Sequence, residues 1–195
     1  MATGAKNAEN ASVGKPLAVG GAYVAFWDTL TDDDIPTDGT TALSAAWVNA
    51  GYVGEDGLTN STDISDTDPI LAWGGDTVIL PDGTKSESFQ APLLETKLET
   101  LQAIYGKSNV TADSATGEIT VRKNSNAQPL VAWVYEVLLT GDRVKRIVVP
   151  RTKLTSLDDV QYTDSDAISY NGTFTAAGYT GFDGDTSREF IAAIA

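Results

Sequence analysis

The chain has 195 residues, a formal net charge of -14 at pH 7, and no cysteine or histidine. This length predicts one domain with a sizeable core, and the charge argues against phosphate binding and against an anionic membrane surface. The lack of cysteine excludes disulfides and thiolate zinc sites, and the lack of histidine removes the commonest general base. No apolar run is long enough for a membrane helix, and the N-terminus has no apolar region typical of a secretory signal.

The first part of the chain is predicted to be mostly arm and loop. Residues 1–18 are small and polar without periodicity, which predicts an N-terminal arm. An aromatic and β-branched run at 20–28 predicts the first strand, and a further strand is expected at 47–53. The acidic span 29–68, broken by proline and glycine, predicts a long surface loop. Because ordering so long a loop is costly, we expect a neighbouring subunit to order it.

Three strand runs follow the long loop. Runs at 70–73 and 77–80 are separated by Gly74 and Gly75, which predict a bulge or the close approach of another backbone. Residues 85–93 alternate between apolar and polar side chains, which is typical of a half-buried strand.

One helix is predicted at residues 97–105. Thr96 would cap its N-terminus, Glu99 would complete a capping box, and Gly106 would stop the last turn. An apolar stripe along this segment predicts that the helix packs against a sheet.

A hairpin is predicted around Gly141 and Asp142, with strands at 130–140 and 143–149. The first strand is apolar on both faces, so its second face is covered either by the subunit's own core or by another subunit. Pro150 cannot donate a ladder hydrogen bond, so the second strand must end or bulge there.

The hairpin register follows from a two-residue turn. Pairing Thr140 with Arg143 would set Glu136 opposite Ile147 and diagonal to Lys145.

Further strands are predicted at 118–123, 168–176 and 189–194. The expected organisation is a β domain at 19–176 followed by a C-terminal segment at 177–195. Many strands with one helix predict a mainly β fold, a β-sandwich or partly closed barrel with one flanking helix.

Charge is distributed unevenly along the chain. No lysine or arginine lies between Lys15 and Lys85, whereas the hairpin is basic. Such asymmetry fits either a solvated acidic loop beside a basic strand or an acidic surface meeting a basic one in a self-assembly. The candidates for inter-subunit contacts are Asp32, Asp33, Asp34, Arg143, Lys145, Arg146 and Arg151.

Acidic clusters raise the alternatives of a calcium site or an enzyme. The groups at 63–68 and 183–189 are rich in carboxylates, but neither has EF-hand spacing, and such clusters arise by chance in an acidic chain. A glycoside hydrolase would need a paired acid across a cleft, which no pattern indicates. The alternative function is a calcium-dependent, carbohydrate-binding adhesin module of β-sandwich fold.

The order of several segments resembles the major tail tube proteins of long-tailed bacteriophages. These segments are GYVGEDGL at 51–58, the Trp73-Gly74-Gly75 strand, SESFQAPLLET leading into LETLQAIYG, and VYEVLLTGDRVKRIVVPR. The resemblance spans about residues 20–174.

The resemblance implies a virion protein without enzymatic activity or cofactor. Its copies would form hexameric rings that stack into a tail tube, with strands pairing into an inner barrel. Implied partners are other copies of the chain, the tape-measure protein, and the tail terminator and baseplate proteins. The protein would reside in the virion tail, and in the host cytoplasm during assembly. DNA would pass through the tube without specific binding, because an acidic lumen repels phosphates.

In the family, acidic side chains project into the channel from barrel strands. The candidates are therefore acids within strand runs: Asp76, Glu87, Glu118 and Glu136.

Overall fold

A computed structural model describes residues 11–17 and 20–194 of the chain. The predicted arm at 1–18 lies largely outside the described residues. The one α-helix among them, α1, spans Leu98–Tyr105, and single 3-10 turns occur at Asp32–Asp34, Lys107–Asn109 and Thr180–Phe182. The strands are β1 Lys15–Pro16, β2 Ala22–Phe26, β3 Val48–Asn49, β4 Thr59–Ile64, β5 Ile70–Leu71, β6 Thr77–Ile79, β7 Lys85–Leu93, β8 Val110–Ala112, β9 Ile119–Val121, β10 Val131–Leu139, β11 Arg143–Leu157, β12 Tyr170–Ala176 and β13 Arg188–Ala193.

Nine of these strands form one antiparallel sheet. Its main path runs β3-β2-β10-β11-β12-β7-β4, while β1 pairs with β10 and β13 pairs with β11. Residues near 53 return to the far end of β7, where Val53 bridges Leu93. The ends of the sheet therefore approach each other without closing a barrel. The predicted fold class, mainly β with one flanking helix, is confirmed.

The β10–β11 hairpin has a three-residue loop rather than the predicted two-residue turn. Leu139 pairs with Arg143, and both Gly141 and Asp142 have positive φ, at 81° and 51°. The predicted register is therefore wrong by one residue. The correction places Glu136 directly opposite Arg146.

Strand β11 bulges at Pro150 and there changes its neighbour. Between the pairs Trp133–Val149 and Val131–Thr152, β11 contributes one residue more than β10. Before the bulge β11 pairs with β13, and after it with β12. The prediction that this strand must end or bulge at Pro150 is met by a bulge, since proline has no N–H to donate.

The first core lies between the sheet and α1. Trp133 is buried there, stacked against Tyr135 at 5.7 Å and edge-on to Phe174 at 4.9 Å. Leu101 and Ile104 of α1 pack into the same cluster, as the apolar stripe predicted.

Helix α1 ends as predicted but begins one residue later. Gly106 has φ 91° and follows the last turn. Lys97 occupies the N-cap position without a side-chain cap, because the hydroxyl of Thr96 lies 3.1 Å from the hydroxyl of Tyr170 instead. The predicted Thr96 cap is therefore wrong.

The second core covers the opposite face of β10 and comes from the same subunit. Ala132 and Val134 are buried under Ile35, Trp47 and the 179–182 segment. The indole of Trp47 donates to the Asp34 carbonyl oxygen at 2.8 Å, which ties the acidic loop to the sheet. The strand with two apolar faces is thus a core strand, and the first half of the long loop is ordered without a neighbouring subunit.

Residues 59–64 differ from their predicted role, whereas the strand predicted at 189–194 is present as β13. The polar stretch Thr59–Ile64 is a strand, paired along its length with β7, so the span 29–68 is not one loop. The C-terminal segment supplies buried Tyr179 and Phe182 to the second core, and strand β13 to the sheet. No helix in the described part of the chain is long and apolar enough to cross a membrane.

Candidate assembly surfaces

Residues 65–84 form an arm that projects from the β4–β7 pair. Strands β5 and β6 make a small hairpin in it, and the turn uses Gly74 and Gly75 at φ 128° and 97°. Nothing lies within 4 Å of a Cβ built on either glycine, so they serve a turn rather than the predicted bulge or close backbone approach. Every residue from 59 to 82 is exposed.

The arm tip carries a large apolar surface that the subunit does not cover. Trp73 is fully exposed, with a relative accessibility of 107%. Its large apolar neighbours are each more than half exposed: Ile70, Leu71, Val78, Ile79 and Leu80. The arm also contains four aspartates, at 66, 68, 76 and 82, and no lysine or arginine. It is therefore apolar and acidic at once.

A second open surface, the Trp27 groove, lies where β2 ends and β10 begins. It consists of two depressions of about 330 and 390 Å³, both of which are lined by Trp27. The side chains that line them include Phe26, Lys107, Pro129, Leu130, Arg151 and Tyr179.

The floor of the Trp27 groove is formed by side chains that contact one another. Tyr179 meets Trp27 edge-on at 6.0 Å and donates a 2.5 Å hydrogen bond to Asp32. Burial, followed by this hydrogen bond, raises the pKa of Tyr179 to about 12, so the phenol keeps its proton at neutral pH. Lys107 at the rim pairs with Asp28 at 3.1 Å.

Arg151 borders this groove, and Lys153 lies two residues further along the same exposed face of β11. Thr152, between them, is buried and donates its hydroxyl hydrogen to the Val131 carbonyl. Neither cation forms an ion pair within the described residues. They are available charges beside an aromatic surface.

Glu136 and Arg146 form a buried ion pair inside the subunit. Arg146 Nη2 and Nε lie 2.5 and 2.8 Å from Glu136 Oε1, and both residues are less than 8% exposed. Arg146 Nη1 donates to the carbonyl oxygens of Asp38 and Thr41 at 3.0 and 2.8 Å. The guanidinium therefore fastens the acidic loop to the sheet.

The Asp38 carboxylate stabilises the same loop. Hydrogen bonds from the Thr41 side chain, then from the backbone N–H groups of Thr41 and Thr40, lower the pKa of Asp38 to about 2, with a smaller contribution from Arg146.

Glu87 is also buried, but its partners are neutral. Its carboxylate accepts hydrogen bonds from Asn60 at 3.1 Å, from Ser187 at 3.0 Å and from Thr186. This network joins β4 and β7 to the start of β13. By contrast, Asp76 and Glu118 are both exposed.

The acidic triplet and the basic hairpin do not meet within the subunit. Asp34 bonds to Thr31 and Ser44, and Asp32 to Tyr179, while Asp33 is exposed. On the hairpin, Lys145 pairs with Glu189 at 2.6 Å. Arg143 donates to the Thr140 carbonyl and to Ser12.

The acidic cluster near the C-terminus holds an arginine. Arg188 donates to Asp185 at 2.8 Å and to Asp183 at 3.0 Å, and its guanidinium lies 4.5 Å from the ring of Phe182. Across residues 11–17 and 20–194, no group of three or more acidic side chains is arranged to hold a metal ion.

Neither the arm tip nor the Trp27 groove was predicted as a surface, although Asp76 of the arm was a channel candidate and Asp32 and Arg151 of the groove were contact candidates. A usable signal was present: DPILAWGGDTVILPD places apolar residues on both sides of a glycine turn, between aspartates and prolines. The groove has no comparable signal, because its residues come from five separate parts of the chain.

A family model described as phage tail tube protein matches residues 6–191. No curated protein matches the chain.

Proposed function

The chain belongs to the phage tail tube protein family, and on this premise we propose that its copies form stacked, hexameric rings that build the tube of a phage tail. The family implies self-association into a tube and contact with other tail components. The observation that carries the proposal is the match over residues 6–191, which takes in the core, the arm and β13.

Open strand edges support ring formation. Among the described strands of the sheet, β13 pairs only with β11 and β4 only with β7, and the short strands β1 and β3 also have one partner each. An edge strand presents unpaired N–H and C=O groups that a second chain can extend. In a ring, one edge of each subunit meets a different edge of the next, which is a heterologous contact that closes after one turn.

We propose an acidic channel that lets DNA pass without binding. The net charge of -14 supports a surface that repels phosphates. Glu118 is the exposed candidate for the channel wall. Glu87 and Glu136 are engaged inside the subunit, so they contribute to its stability rather than to the surface of a channel.

Charge reversal of Glu118 tests the channel. If Glu118→Lys tubes assemble and eject DNA more slowly, most clearly at low salt where screening is weak, the residue lines the channel. Normal ejection would remove Glu118 from the lumen, and failed assembly would place it in a subunit contact.

Partners at the ends and inside of the tube follow from the same proposal. They are the tape-measure protein, the tail terminator and the baseplate proteins, and the site of action is the virion tail after assembly in the host cytoplasm. The proposal requires no cofactor. An adhesin with calcium in its acidic loops is less well supported, because Arg188 occupies the carboxylates of Asp183 and Asp185.

Negative-stain microscopy and sedimentation of the purified protein test the assembly. We expect rings or tubes with a central channel at high protein concentration. Monomer alone over a broad range of concentration and salt, together with absence of the protein from virions, would refute the proposal.

A further inference from the structure

The apolar tip of the arm needs a partner molecule. Six large apolar side chains lie in or beside a two-stranded hairpin, which has no third strand paired to it among the described residues. Such a hairpin is marginal on its own in water, and contiguous exposed apolar patches of this kind mark interaction sites. The space around Gly74 and Gly75 is also open, so the tip can enter another surface without a backbone clash.

The charges of the arm limit what that partner can be. Asp68 and Asp76 flank the tip hairpin, and the arm has no cation to neutralise them. A partner must therefore offer an apolar, preferably aromatic, surface beside available positive charge.

The Trp27 groove offers that combination on this same chain. Trp27 is only half-buried, and Pro129 and Leu130 continue the apolar lining. Arg151 and Lys153 lie at one side without ion-pair partners in the described residues. The groove's acids are already engaged, Asp28 by Lys107 and Asp32 by the Tyr179 hydroxyl.

The arm and the groove lie on different strands of one subunit. The arm leaves the sheet from β4 and β7, whereas the groove lies at β2 and β10, with β11 and β12 between them. The Trp73 side chain is fully exposed, so it is not buried in the groove of its own subunit.

We propose that the arm tip of one copy docks in the Trp27 groove of a second copy, with Trp73 as the apolar anchor and Arg151 and Lys153 pairing with Asp68 and Asp76. This inference rests on the proposed assembly of copies into a tube. It places Asp76 in a subunit contact rather than in the channel. Aromatic anchors in desolvated pockets contribute most of the affinity of such contacts.

Truncation of the anchor is the first test. Trp73→Ala should raise the protein concentration needed for assembly by about tenfold or more. The matched control is Tyr162→Ala, which removes an aromatic side chain that is 70% exposed and lies outside both surfaces. Since neither residue is buried, both variants should fold like the wild type.

Charge reversal tests the pairing itself. Arg151→Glu with Lys153→Glu should reduce assembly, and adding Asp68→Lys with Asp76→Lys in the same chain should restore it. The four changes together restore the wild-type net charge, so the matched control adds Asp159→Lys with Asp164→Lys instead, at two exposed aspartates outside both surfaces. Rescue by the arm changes and not by this control requires that the charges face each other in the contact.

Cross-linking reports the contact directly, because the chain has no native cysteine. Ala72→Cys with Thr180→Cys should give disulfide-linked oligomers under mild oxidation, whereas Ala72→Cys with Ser165→Cys should not. This inference is overturned, and the tube function left intact, if the wild type forms tubes, Trp73→Ala assembles normally and the 72–180 cross-link does not form. Failure of the wild type to assemble would instead remove the tube function and this inference with it.

Discussion

Removal of Arg146 should cost much more stability than removal of its neighbour Lys145. Arg146 is 4% exposed, pairs with a buried Glu136 and bonds to two loop carbonyls. Arg146→Met leaves the carboxylate buried without its cation, for which we expect a loss of about 3–5 kcal/mol in the free energy of unfolding. The subunit should still fold, since domains of this size are typically stable by ~5–15 kcal/mol.

Lys145→Met is the matched control on the same strand. Lys145 pairs with Glu189 at a similar distance, 2.6 Å, but the two side chains are 28% and 40% exposed. Solvent screens such a pair, so its loss should cost ~0–1 kcal/mol. The comparison therefore measures the effect of burial together with that of the two hydrogen bonds that Arg146 donates to the loop.

The double variant Arg146→Met with Glu136→Leu completes the cycle. With both charges gone, the remaining cost is that of the two loop carbonyls that lose a donor, about 1–2 kcal/mol. The sum of the two single losses should therefore exceed the loss of the double variant by at least ~2 kcal/mol.

Urea unfolding followed by tryptophan fluorescence measures these values, with the slope checked for two-state behaviour. Thermolysin cleavage before Leu43 gives a local readout, since the loop should loosen in Arg146→Met and not in Lys145→Met. If Arg146→Met costs no more than Lys145→Met, the reasoning on the buried pair is refuted.

Three other outcomes are expected for the isolated subunit. Phe182→Ala should destabilise it by about 3–5 kcal/mol, because a buried aromatic side chain is lost from the second core. Trp73→Ala should change its stability by less than ~0.5 kcal/mol, and calorimetry would distinguish the two variants. The pKa of Tyr179 is raised to about 12, so its protonated phenol stabilises the fold fully below pH 10, the pKa in the unfolded chain, and this stabilisation is lost as the pH rises towards 12. Urea titrations at pH 8 and pH 11 should therefore show a smaller fall in the free energy of unfolding for Tyr179→Phe than for the wild type. Gly106→Ala should cost ~1 kcal/mol or more by thermal melting, since φ is 91° there and the added Cβ would lie 3.1 Å from a proline ring.

Local patterns in the sequence predicted the elements whose signal is local. Strand β7 has the predicted bounds because residues 85–93 alternate and half of them face the first core. The bulge at Pro150 and the end of α1 at Gly106 follow from the backbone chemistry of single residues. These features needed no knowledge of the rest of the fold.

Features that depend on tertiary contacts were missed. Strand β4 is polar and exposed along its length, so only its pairing with β7 makes it a strand. The hairpin register was wrong by one, because a Gly-Asp pair fits a two-residue turn, whereas the strands pair from Leu139 and Arg143 and leave Thr140 in the loop. That shift decided the site as well, since it turns Glu136 from a possible surface acid into the partner of Arg146.

The segments that cover the second core could not be predicted from the sequence either. Its residues, among them Ile35, Trp47 and Phe182, lie in irregular segments far apart in sequence. A strand apolar on both faces therefore left two possibilities open, and only the packed loop decided between them.

Strand β11 is shared by the two halves of the sheet. It pairs with β10 from Arg143 to Thr152, with β13 before Pro150 and with β12 after it. Neither half of the sheet can separate without breaking the ladder of the same continuous strand, so the body should open as one cooperative unit. Amide hydrogens in β10 and β11 should then exchange only through global unfolding, whereas the arm, bonded only to itself beyond β4 and β7, should exchange in a separate and much faster event.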